Sequence, residues 1–162
     1  MRNEHTMRNA QLDLSLLPDF SAMRAQAPWN YTLQNYIESK GSFELAVAFA
    51  RLFWPEFVER SGCILRADVF NEETFERWWQ EKPGDIAAIE CVLNLIHVEE
   101  LIPSDNTPLD RCVYVYLAQT LVEMWSARVK MLYPDREFVV RCDGCDDTAA
   151  TEGPTVYLYQ KR

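Results

Sequence analysis

The sequence predicts an α+β fold: one helix-rich domain carrying a small antiparallel sheet of about three strands. Three observations lead there. The 162 residues suit one domain of ordinary size. Apolar residues make up 48% and charged residues 25%, and eight Phe, seven Tyr and five Trp supply a core, which excludes disorder of the whole chain. Capped helical segments fill most of the chain, whereas β-rich segments occur only near its middle and at its end. Residues 1–29 read as an irregular N-terminal arm with a mobile start, and 30–162 as the single domain.

The elements follow in order. Asn30 can cap a short helix over 31–39, which Gly41 ends. Ser42 caps a second helix with Glu44 in its first turn. Leu45, Val47, Phe49, Leu52, Phe53 and Trp54 point almost all round this helix, and only Glu44 and Arg51, one heptad apart, mark a wet edge. A helix apolar on nearly every side is expected to be buried. Residues 62–69 read as a strand. Asn71 then caps a helix with Glu72 and Glu73 in its first turn, and Phe70 faces Phe75 as a hydrophobic staple. Phe75, Trp78 and Trp79 fall on one aromatic face. The two indoles cannot share one direction, so one of them should be partly exposed or cover a partner surface.

Pro83-Gly84 ends that helix and Asp85 caps the next, expected over 86–98. A long connection, 102–106, precedes the longest helix, which Thr107 caps, Pro108 opens and Pro134 ends. Its expected apolar arc holds Val113, Leu117, Leu121, Met124, Trp125, Met131 and Leu132. Strands over 137–142 and 155–160 finish the chain, joined by a polar loop.

The formal charge of −9 repels phosphate, and no basic run exists, so nucleic acid is not expected as a partner. No apolar run is long enough to span a membrane. Acidity instead suits solubility, or another protein of basic charge. The five cysteines are odd in number and three lie in apolar segments. The first residues show no apolar signal region. Together these lead us to expect a reducing cytoplasm and no disulfides.

Candidate chemistry is sparse. Cys142-Asp143-Gly144-Cys145 is the one CxxC, but zinc wants four ligands and the histidines are only His5 and His97. It leaves a strand for the acidic Asp146-Asp147, which would raise thiol pKa, so a β-turn with no metal or cofactor is expected. Glu90, Asn94 and His97 form a narrow polar stripe at helical spacing. It reads either as a solvated strip or as the polar wall of a pocket in which Glu90 and His97 exchange protons. Arg128 falls inside the apolar arc of the long helix. It must therefore lay its stem on neighbours such as Trp125 with its head in water, hold an anion, or meet an inward carboxylate, for which Glu90 is the preferred partner. There is no Gly-rich phosphate loop, nucleophile elbow or EF-hand loop.

The stretch Trp125-Ser126-Ala127-Arg128-Val129-Lys130-Met131-Leu132-Tyr133-Pro134-Asp135-Arg136-Glu137-Phe138-Val139-Val140, followed by Thr155-Val156-Tyr157-Leu158-Tyr159-Gln160, resembles the tail of small uncharacterised bacterial proteins. The resemblance covers this tail alone. It implies a helix–strand–strand ending and a bacterial source; an immunity-type, toxin-neutralising role follows by analogy of type only. The expected function is thus a non-enzymatic intracellular protein-binding domain with Trp78, Trp79, Glu90, Asn94, His97 and Arg128 as candidate binding residues. The alternative is a ligand-binding protein or hydrolase-like enzyme with a Glu90, His97 and Arg128 pocket.

Overall fold

The computed structural model describes residues 12–27, 30–101, 109–145 and 153–162. It shows the α+β class, with six helices and two small antiparallel sheets. The expected connection over 102–106 and the Thr107-Pro108 helix start lie outside the described residues, as does the start of the arm.

The arm is more regular than expected. Asp13 caps a single 3-10 turn over Leu14–Leu16, and helix α1 follows over Pro18–Gln26. Pro18 sits at the first helical position, where its missing N–H costs nothing. Phe20 of α1 is buried against Tyr31 and Tyr36. Helix α2 spans Leu33–Lys40, and its cap is Thr32 rather than Asn30, in a reciprocal capping box with Asn35. Helix α3 spans Phe43–Phe53 with Ser42 as cap.

The expected burial of α3 is overturned. None of its residues is buried, and Phe43, Leu45 and Val47 are 93%, 55% and 62% exposed. Only the side bearing Leu52 and Phe53 packs on the core. An all-round apolar sequence demands cover on all sides, and this chain supplies it on one.

A hairpin follows that the sequence reading half missed. Strands β1 (Phe57–Arg60) and β2 (Cys63–Arg66) pair antiparallel through a Ser61-Gly62 turn. Both turn residues have positive φ, 51° and 82°, as a two-residue hairpin turn requires. Helix α4 (Glu72–Glu81) starts at Asn71 with the Phe70–Phe75 staple in place, ring centroids 6.3 Å apart. Phe75 is buried and both Trp78 and Trp79 are partly buried, Trp79 stacking on Phe75.

Helix α5 runs from Ile86 only to Leu93, not to Val98. Asn94 closes it, and Ile96–His97 form β3. Helix α6 (Arg111–Leu132) is the spine, capped by Asp110. It buries Val113, Ala118, Leu121, Trp125 and Val129, while Met131 and Leu132, expected in the buried arc, are exposed. Strands β4 (Phe138–Asp143) and β5 (Thr155–Gln160) complete a sheet of order β3-β5-β4.

Two cores result. One lies between α6 and the three-stranded sheet, around Leu121, Trp125, Val156 and Leu158. The other lies among the hairpin, α4 and α5, around Cys63, Leu65, Phe75 and Ile89. Burying such side chains is the main favourable term in folding, about 1.5–3 kcal/mol for each large one. No described helix is long and apolar enough to cross a membrane.

Candidate functional site

Helix α5 runs between the two sheets, and its polar stripe faces them rather than water. Glu90 and Asn94 are both 0% exposed. Glu90 Oε1 accepts from the Ile64 backbone N–H of β2 at 2.6 Å, and Oε2 accepts from the Gln160 backbone N–H of β5 at 2.6 Å. The Gln160 side-chain amide donates to Oε1 as well, and reaches the Gly62 carbonyl at 2.9 Å. One turn on, Asn94 Oδ1 accepts from the Arg66 N–H at 2.9 Å. Its Nδ2 donates to the carbonyls of Ile64 and Leu158, at 2.9 and 3.2 Å.

The stripe is therefore a splice. Ile64 and Arg66 present groups along the edge of β2 that β1 leaves unpaired, and Leu158 and Gln160 present theirs along β5 beyond the short β3. Buried backbone groups need partners, and two side chains one helical turn apart supply them to both strands. Burial raises the Glu90 pKa above the usual carboxylate range, against the pull of its three donors and of the Arg162 charge.

His97 does not join the stripe. It lies on β3, exposed, with Nδ1 3.1 Å from Thr155 Oγ1. Arg128 does not meet Glu90 and does not lie on Trp125. Its Nε donates to the Pro55 carbonyl at 3.1 Å, and its guanidinium sits 5.4 Å from the Trp54 ring centroid. The cation over Trp125 is Arg66, at 4.8 Å, buried and paired with Asp68. Nothing in a single Arg within a short strand distinguishes that burial from exposure, and the sequence reading passed over it.

The clefts among the described residues include ones of about 580, 610 and 20 Å³. None of these three is lined by Trp78, Trp79, Glu90, Asn94, His97 or Arg128. The first is an open groove between α5 and β5 over Cys91, Asp143, Tyr157 and Tyr159, where Tyr157 donates to Asp143 at 3.1 Å. Among the described residues no group of three or more His, Cys, Asp or Glu is placed to hold a metal ion.

The expectation of no disulfides is corrected. Cys142 and Cys145 are bonded, because the turn at Gly144 brings their Cα atoms to 6.0 Å, within disulfide reach. Arg111 donates to the Gly144 carbonyl inside the same turn. Cys63 is buried, its thiol pushed up to about 11 by burial and by Glu90, and Cys112 is exposed.

Helices α2 and α3 both leave apolar side chains exposed. Leu33 and Ile37 on α2 are 45% and 56% exposed, adding to Phe43, Leu45 and Val47. The sequence signal for the α3 exposure was the apolar pattern of α3 itself, read as burial within the chain. No protein-family model, curated protein or solved structure matches the chain.

Proposed function

We propose that this chain is a non-enzymatic protein-binding domain that docks through the outward side of α3. The observation that carries the reading is the exposure of Phe43 and Val47, one turn apart on that side. Large apolar side chains left exposed side by side mark an interaction surface. The alternative, a Glu90, His97 and Arg128 site, loses its support. Glu90 is occupied by backbone donors, and the other two are engaged elsewhere.

The finer reading, a toxin-neutralising role against a basic protein, rests on the net charge of −9 and on α4. That helix sets Glu72, Glu73, Glu76 and Glu81 beside the half-buried Trp78 and Trp79.

Lysine-reactive cross-linking of the full chain in its native cells tests the docking face. Lys40, half-exposed at the end of α2, is the reporter. Cross-links from Lys40 to another polypeptide should form, and Val47→Glu should remove them while leaving the chain folded by circular dichroism, since Val47 is exposed within the single chain. Absence of such cross-links, or their persistence in the variant, would overturn the reading.

A further inference from the structure

We infer that the occupant of the α3 face is a second copy of this chain, packed antiparallel about a two-fold axis between Val47 and Ala48. The inference rests on the docking reading above and adds the partner to it.

The residues that α3 turns outward carry the argument. Phe43, Val47 and Ala50 lie within one helical arc and all are exposed. Glu44 and Arg51 flank this seam one heptad apart, so they share a side of the helix. A two-fold axis makes each residue face the one equally far from the midpoint. Glu44 and Arg51 are equally far from the midpoint between Val47 and Ala48. Antiparallel packing thus sets Glu44 of each copy against Arg51 of the other, twice over, with the Val47 side chains of the two copies meeting beside the axis. A parallel packing would set Glu44 against Glu44. The charge pattern is self-complementary in one orientation only.

Arg51 holds Glu56 of its own chain at 2.7 Å, with both side chains more than half exposed. A guanidinium has five N–H donors, so a second carboxylate can join without breaking the first contact. An 11-residue helix is about 16 Å long and offers far less than the roughly 800 Å² per partner of a stable interface. Trp54, 39% exposed at the end of α3, adds apolar area, and a weak dimer is what a contact of this size supports. The whole-chain charge of −9 opposes self-association, but with a screening length of about 8 Å at physiological salt the contact charges outweigh the distant ones.

Sedimentation equilibrium of the purified full chain decides it. The chain should be a dimer at roughly 100 µM, and Val47→Glu a folded monomer. Glu44→Arg sets like charges opposite each other at both ends and should weaken the dimer about tenfold or more. Adding Arg51→Glu to Glu44→Arg should restore most of the loss. Restoration cannot come from helix stability, since both swaps oppose the helix dipole. A monomeric wild-type chain, or a double variant no tighter than Glu44→Arg, overturns the second copy. If Lys40 then still cross-links to a different protein in cells, the docking face stands and only its occupant falls. If those cross-links are absent too, both fall.

Discussion

Glu90 and Gln160, 70 positions apart, hold each other twice in the interior: the Gln160 backbone N–H and its side-chain amide both donate to the Glu90 carboxylate. Through this pair, helix α5 ties the C-terminal strand to a hairpin with which it makes no ladder. Glu90 is thereby held in place as a structural acceptor between the two strands.

Glu90→Gln tests that role, because the change keeps the shape and alters only the donors. The carboxylate accepts on both oxygens, from Ile64 and from Gln160. A Gln amide must turn its NH₂ toward one of those N–H groups. The variant should lose about 2–4 kcal/mol in urea unfolding, despite removing a buried charge. Unchanged stability would show that the three donors are satisfied otherwise.

The pH dependence has a defined sign. Burial raises the Glu90 pKa in the folded state. A raised carboxyl pKa means the folded state binds the proton more tightly. Its contribution to stability is full below the ordinary value of 4.5 and is lost as pH rises through the raised value. The melting temperature should climb as pH is lowered from neutral toward that ordinary value. Glu90→Gln should flatten this slope. Asp13 and Asp110, both lowered by the hydrogen bonds they accept as helix caps from Ser15 and Cys112, act in the opposite sense and only in stronger acid.

Arg128→Met should cost about 1 kcal/mol, from the contact with the Trp54 ring and the bond to the Pro55 carbonyl. Combined with Glu90→Gln, the two losses should add within about 0.5 kcal/mol, since neither side chain touches the other's partners. Strong coupling in denaturant melts would contradict this placement.

Thiol labelling separates the cysteines. In the native, unreduced protein Cys112 should react first, being exposed. Cys63 should stay unlabelled, with its pKa pushed up to about 11 and its side chain buried. Cys142 and Cys145 should label only after reductant is added. Mass spectrometry of the labelled peptides reads all of these positions.

Local signals were legible in the sequence, and long-range ones were not. Ser42, Asn71 and Asp85 cap helices as read, because a cap depends only on the next three residues. The bounds of β5, 155–160, were read as they stand. Phe57-Val58-Glu59-Arg60 shows little strand pattern by itself, and the Ser61-Gly62 turn beside Cys63 is the hairpin signal there. Helical spacing puts Asn94 and His97 on one face, but Asn94 is the C-cap that ends α5, so His97 falls on β3. The Glu90 and Asn94 stripe was found, but a polar strip looks the same whether it meets water or strand edges. Its partners lie between 26 and 70 positions away. The exposure of α3 was out of reach for the same reason: periodicity says which sides want cover, not which sides receive it.

The docking face is tested most directly by oxidative footprinting of Phe43 and Val47 in native cells, compared with the purified chain at high dilution. Met131, 57% exposed on α6, serves as the internal control. Phe43 and Val47 should be labelled in the dilute chain and protected in cells, with Met131 labelled alike in both. Equal labelling of Phe43 and Val47 under both conditions would mean that nothing covers this side of α3, and would contradict the protein-binding account.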